Sequence, residues 1–435
     1  MKKNITIYLL LALACLGLQS CLFQEENYFD DSSANRATAD VKRCSELLKA
    51  APNGWVMEYY IGKDYSLGGI TLLCRFDGQR VTMASQMSEA DETVSSLYSV
   101  KSEQATMLSF DTYNYLVHYF GQPQGSMSDD PNGTLGGDYE FIISSASAER
   151  IELKGKKYGN RIVMKALTED QTWKQYLTKI KKVEDDAFFY EYDLLMDGLY
   201  TGQMLRSNYT FIVTYYDEIG KVHQKTVPFM FTADGLRFHE PVTIDGQTMQ
   251  NFVWKNELIS FVCTDEGATG VKLAGVYTAG YQSYDYYPGT YQMDFYRLND
   301  ETGQLEVASQ EVRLLKNEDG KSYWLKGLEY DILVMYDKPR GGLSVSPQLL
   351  EKVQGGYVYL AMWDVMNDYV LRNKSIGLIS YATTNGIYLV DNGVWMGEVS
   401  GFIFGVYNSQ EEDAAFIGYT DAVASIRLVK KTIEE

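Results

Sequence analysis

"ITLLCRFDGQRVTMAS", residues 70–85, reads as two β-strands folded on one tight turn. Ile70, Leu72, Cys74 and Phe76 alternate with Thr71, Leu73 and Arg75, a period of two that sends alternate side chains to opposite faces of a strand. Asp77-Gly78 then turns the chain into residues 80–85, because both residue types tolerate the positive φ of a hairpin turn. The same period precedes the stretch, where Trp55, Met57 and Tyr59 alternate with Val56, Glu58 and Tyr60, and strand patterns follow at 139–144, 151–153 and 161–167. One interruption is "FDTYNYLVHYFG", residues 110–121: Tyr113, Leu116, Val117 and Phe120 recur at helical spacing, with Asp111 placed to cap the start and Gly121 to end it. A meander of strands with a lid-like helix predicts a barrel or a strongly bent sheet.

Working outward, Val41, Cys44 and Leu48 predict a helix over 38–51, stopped by Pro52-Asn53-Gly54. A second helix is expected over 168–180, with Thr168 and Gln171 as a capping box and the charged run 181–186 as a boundary. Strand patterns resume at 208–216, 222–231 and 251–263, and again at 357–364, 377–381, 387–390, 401–407 and 424–430. A third unit starts near Gly289, where "GTYQMDFY" echoes "GWVMEYY"; "GGLSVSPQ" likewise echoes "GGITLLCR". With 35 tyrosines, 18 phenylalanines and 6 tryptophans, composition agrees with a mainly β chain of barrel-like or bent antiparallel sheets in two or three units, with a few short helices. The expected division is 1–20 signal peptide, 21–37 acidic disordered tether, 38–183 N-terminal β-rich domain, 184–276 middle β unit and 277–435 C-terminal β domain.

The signal-peptide reading rests on Lys2 and Lys3, an apolar run from Ile5 to Leu18 and the small residue Ser20. That run is shorter than the ~20 residues of a membrane-spanning helix. Leu18-Gln19-Ser20-Cys21 reads as a lipobox, which makes Cys21 the expected lipid attachment residue, its thiol being the strongest nucleophile there. Several acyl chains give a durable membrane anchor, each buried CH₂ contributing ~0.8 kcal/mol. Gln24-Glu25-Glu26 and Asp30-Asp31 follow as a solvated tether, and the stretch resembles the acidic tag that sends lipoproteins of Bacteroidota to the outside of the outer membrane. Losing Lys2 and Lys3 moves the formal charge from −19 to −21, a surface that repels phosphate backbones and argues against a nucleic-acid partner. Cys44, Cys74 and Cys263 are an odd, widely spaced trio with no CxxC, and read as small buried hydrophobes.

The acidic tether, "APNGWVMEYY", the Gly68-Gly69 pair, "LSFDTYNYLVHYF", "GGDYEF" and "LKGKKYGN" resemble an uncharacterised family of Bacteroidota surface lipoproteins encoded beside SusC/SusD-type outer-membrane importers. The resemblance covers mainly residues 21–167. It implies outer-membrane localisation facing the cell exterior and a nutrient-uptake context. It carries no established activity, so no functional residue is transferred.

Catalytic signatures are missing from the sequence. His118, His223 and His239 lie far apart with no HExxH, and neither a GxSxG elbow, a P-loop nor a GxGxxG after a strand occurs, so no metal or cofactor is expected. "SDDPNGTLGGD", residues 128–138, offers Asp129, Asp130, Asn132 and Asp138 to calcium, but lacks the EF-hand spacing and reads better as a turn at Asp130-Pro131-Asn132-Gly133. The tyrosines of "GYQSYDYYPGTYQMDFY", residues 280–296, are the expected ligand contacts: Tyr284, Tyr286 and Tyr287 flank Pro288 and are expected to be exposed, with a glycan or peptide as ligand. Three functions stay open. They are an accessory binding protein for nutrient capture, a structural subunit of the importer, and an extracellular hydrolase whose carboxylate pair is assembled only by the fold.

Overall fold

Trp55–Ile61 and Gly68–Phe76 pair antiparallel, with Trp55 opposite Cys74 and Met57 opposite Leu72. At the following turn the Asp77 carboxylate accepts the N–H groups of Gln79 and Arg80 at 3.0 and 2.7 Å, and Gly78 takes φ 105°. The computed structural model describes residues 32–123, 133–217, 219–299, 301–411 and 413–431. Cys21, Glu25, Glu26, Asp129, Asp130 and Asn132 lie outside these residues.

The meander runs through eight strands to Arg161–Ala166, which pairs back on Trp55–Ile61, Met57 facing Met164, and closes a barrel. Trp55, Met57, Leu72, Cys74, Met83 and Met164 are fully buried and fill it, since eight strands leave an interior only wide enough for side chains. The outward set of Trp55–Ile61 is buried too. Glu58 meets Lys165 at 2.8 Å, and Tyr60 lies over Gly69, where a Cβ would stand 2.7 Å from its ring.

Helix Ser33–Ala50 begins earlier than expected because Ser32 caps it, its hydroxyl accepting Asn35 N–H at 3.2 Å; residues 33–37 of the expected tether are therefore helical. The lid is a single turn, Tyr115–His118, capped by Asn114 and not by Asp111. Asp111 N–H is already bonded to Leu97 O at 2.9 Å and prolongs strand pairing. Helix Trp173–Asp186 also starts late. Its capping box is Thr172 and Gln175, the latter's amide oxygen accepting Thr172 N–H at 2.9 Å while its own N–H donates to the Thr172 hydroxyl at 3.2 Å. The Asn53 amide holds the carbonyls of Thr168 and Gln171 in the preceding loop, and the charged run 181–186 is helical.

Two compact units divide the chain, the second beginning at Lys181. It opens with another closed eight-stranded barrel, from Glu191–Met196 to Val271–Val276, which pair with each other. Aromatics fill this one, with Phe211 stacked on Phe229 at 4.4 Å. The single strand expected over 251–263 is a hairpin, Gln247–Lys255 and Ser260–Cys263, because Ile259 at φ 49° reverses the chain and Trp254 bonds back to Asn256 at 2.6 Å.

A twelve-stranded sheet follows, and eight of its strands form a ring. The 15-residue strand Phe416–Lys430 makes this possible by bending at Ser425, φ 53°. Its second half closes the ring on Gly289–Leu298, Met293 opposite Leu428. Its first half pairs with Gly401–Tyr407, which leads to Gly356–Asp364 and Gln348–Val353. The chain is thus mainly β, with short helices among the described residues. Of the two echoes, "GWVMEYY" and "GTYQMDFY" both lie on ring-closing first strands, whereas "GGITLLCR" is a second strand and "GGLSVSPQ" a fifth.

Candidate ligand groove

The expected tyrosine contacts need correction. Tyr287 is 1% exposed and sits in the core of the third sheet, its hydroxyl donating to Gly341 O at 2.9 Å. Tyr284 packs against that core, stacked on Tyr323 at 4.7 Å and donating to Ser322 O at 2.8 Å. Only Tyr286 is exposed, under the Lys430 ammonium at 5.3 Å. The turn at Pro288 is drawn inward because tyrosine hydroxyls satisfy carbonyls that the strands leave unpaired: Tyr291 donates to Tyr287 O at 2.6 Å and Tyr323 to Tyr284 O at 2.6 Å.

The histidines do not converge. His118 stacks on Tyr139 at 4.7 Å, and His223 meets Asp217 at 2.9 Å. Among the described residues no group of three or more His, Cys, Asp or Glu could hold a metal ion. Asp138, the described member of the calcium-loop set, is buried with its carboxylate on Lys157 and Tyr158 N–H groups at 2.7 and 3.1 Å; burial raises its pKa. Cys44, Cys74 and Cys263 are buried free thiols.

The third sheet carries a groove of about 770 Å³ where strands Ile332–Asp337 and Gln348–Val353 diverge. Gln348 bridges the divergence by standing in for a strand, its amide oxygen accepting Leu333 N–H at 2.8 Å and its amide nitrogen donating to Leu333 O at 2.9 Å. Leu333, Met335, Pro347 and Leu349 form an apolar floor, with Met335 and Leu349 exposed. Arg372 stands over it. Its guanidinium lies 4.7 Å from the ring centre of Tyr359 and 4.2 Å from that of Tyr407, and donates to Glu411 O. Two aromatic faces and a carbonyl hold this long side chain in one place, which removes entropy that binding would otherwise cost. Asn373, Lys374 and Gln410 add donors beside it. None of the described lining residues is a carboxylate or a histidine.

This site escaped sequence reasoning because Tyr359, Arg372 and Tyr407 come from three separate stretches of chain. The local signal was "LRNK", residues 371–374, where arginine, amide and lysine follow a strand end.

No curated protein matches this chain. Among solved structures, a protein of unknown function from the DUF3598 family of Nostoc punctiforme is 8% identical, with 56% of this chain and 98% of the other covered and a TM-score of 0.14. Intact Ap-TbpB (N and C lobes) is 11% identical, with 84% and 68% covered and a TM-score of 0.13. Residues 264–404 match a second domain of unknown function, DUF4987. Residues 25–256, more than half of the chain, match the family described as Domain of unknown function (DUF4302), and the chain belongs to that family.

Proposed function

We propose that this protein is an accessory binding protein, anchored through lipid on Cys21 to the outer membrane with its body facing the exterior, which holds a glycan segment for a SusC/SusD-type importer. The observation that carries the reading is the groove under Arg372. A sugar ring has an apolar C–H face and a rim of hydroxyls, and the groove offers an apolar floor with guanidinium and amide donors along its side. A ligand that is held but not cleaved fits a groove whose described lining has no carboxylate.

The test is a glycan array read with the parent, Arg372→Ala and Asn373→Ala. Arg372→Ala also strips packing from two tyrosines, so Asn373→Ala serves as the milder variant. Losing a charged hydrogen-bond donor costs about 1.5–3 kcal/mol, so Arg372→Ala should weaken the glycans the parent binds by roughly ten-fold or more. A parent that binds no glycan overturns the reading.

A second reading, a structural subunit of the importer, has its own observation. On the outer face of the second barrel Leu205 stands opposite Ile212 and Tyr216 opposite Val222, and all four are exposed. Two exposed apolar pairs on one face, set apart by Gln203, Thr214 and Gln224, suit a protein partner. An array-silent parent that still co-purifies with an importer from detergent-solubilised membranes selects this reading.

A further inference from the structure

The motif "FDTYNYLVHYFG", residues 110–121, places rings on the surface of the first unit that the barrel does not use. Leu116 and Val117 are buried and Phe120 meets the ring of Tyr59 edge-on at 5.8 Å, which is the motif's contribution to the core. Tyr113 is 63% exposed, and Tyr139, in the loop before strand Glu140–Ala146, is 43% exposed. Half-buried His118 joins the two. Its ring centre lies 5.5 Å from that of Tyr113 and 4.7 Å from that of Tyr139, on which it stacks at 17°.

The three rings are held in place. His118 Nδ1 lies 3.1 Å from Asn114 N and 3.0 Å from Asn114 O, and Asn114 is itself fully buried, its amide donating to the Ser96 hydroxyl at 3.2 Å. The Tyr113 hydroxyl donates to Gln122 Oε1 at 3.2 Å. Tyr139 comes close because residue 121 is glycine: a Cβ there would stand 2.9 Å from Gly137 O and 3.2 Å from Tyr139 Cδ1. Gly137 N–H donates to Phe120 O at 3.0 Å and ties the two segments together. Rings ordered in advance lose little rotamer freedom when something stacks on them.

Chemistry and area point to the same occupant. The run presents aromatic faces with polar atoms at their edges: two phenol hydroxyls, the Gln122 amide and His118 Nε2, the second polar atom of an imidazole whose Nδ1 is engaged. An electron-rich ring face suits the C–H groups on the flat side of a pyranose, and the edge groups suit its hydroxyls. A stable protein partner covers about 800 Å² on each side. An aromatic side chain supplies at most about 150–250 Å² when wholly covered. Three rings, each already partly covered, fall short of a protein interface and match one or two sugar rings.

We infer that Tyr113, His118 and Tyr139 form a stacking platform for an uncharged glycan on the first unit. The inference takes its ligand class from the glycan-binding reading, on which it rests to that extent, and uses none of the groove's residues.

The experiment is affinity electrophoresis of the full chain through gels containing amylopectin, hydroxyethylcellulose, galactomannan or arabinoxylan. At least one should retard the parent. Tyr113→Ala and Tyr139→Ala should each weaken that retardation by about five-fold or more, whereas Tyr113→Phe keeps the ring and should bind within about two-fold of the parent. Both tyrosines are exposed, so the variants should melt close to the parent. A parent retarded by none of the four polysaccharides overturns the inference, as do folded Tyr113→Ala and Tyr139→Ala variants that migrate like the parent. A Tyr113→Phe that loses as much as Tyr113→Ala overturns the stacking role. Arg372→Ala separates the two sites: retardation that survives it and is lost in the tyrosine variants supports the platform against the groove, and the reverse pattern leaves the groove standing and removes the platform.

Discussion

Tyr59 shows at the scale of one residue how the first barrel treats polar atoms. Its ring is fully buried, edge-on to Phe120 at 5.8 Å and Phe141 at 6.2 Å, and its hydroxyl donates to Asp138 O at 2.8 Å. Tyr59→Phe should therefore keep the packing and lose one buried hydrogen bond, lowering stability at neutral pH by about 1–2 kcal/mol in a denaturant titration of the first unit. The same burial pushes the Tyr59 phenol well above its ordinary value of 10.0. A group whose folded pKa is raised contributes stability that is present below the unfolded pKa and is lost as pH rises beyond it. Above about pH 10 the parent should lose stability more steeply than Tyr59→Phe, and equal slopes would mean that the phenol is not the group resisting ionisation. Alternation in "GWVMEYY" announces that Tyr59 faces inward. Its partner could not be read from sequence, because Asp138 lies in a loop that reaches the barrel mouth only after the meander has closed.

Strands and turns make different demands on their glycines. Gly235 begins strand Gly235–Ile244, and a Cβ there would stand 1.8 Å from Phe252 O on the paired strand, a backbone atom that cannot swing away. Gly246 occupies the next turn at φ 75°, where a Cβ meets nothing within 4 Å. Gly235→Ala should cost about 3 kcal/mol through displaced backbone, and Gly246→Ala about 1 kcal/mol through the left-handed conformation alone. Thermal melts of the two variants check the order; equal shifts would sink the steric argument. Gly68–Phe76 was legible because Ile70, Leu72, Cys74 and Phe76 recur at a period of two, although both of its faces are buried except at Arg75. Leu305–Lys316 was not, since much of it is exposed on both faces and its polar residues follow no period. Thr168, the cap expected from sequence, gives way to Thr172, because the Asn53 amide ties down the carbonyls of Thr168 and Gln171.

At the scale of the whole molecule, the proposed anchoring makes its own prediction. Cys21→Ala should abolish incorporation of a fatty-acid probe, because acylation needs the thiol. Replacing Glu25 and Glu26 with Ala should preserve that label but reduce protease shaving of intact cells, because lipid attachment and export to the exterior would be read separately. Full label on Cys21→Ala would remove the anchor from the proposed function. The sequence by itself determined the β class, the hairpin at Asp77-Gly78 and the inward face of the first strands, because these depend on side-chain period and on backbone freedom within a few residues. Only the tertiary structure decided which strands close the barrels, that the tyrosines around Pro288 turn inward, and that Arg372 lies between Tyr359 and Tyr407. Ring closure pairs residues as distant as Met293 and Leu428, and burial of a tyrosine turns on a carbonyl elsewhere that needs its hydroxyl. Such contacts carry no local period, so they exist only once the chain has folded.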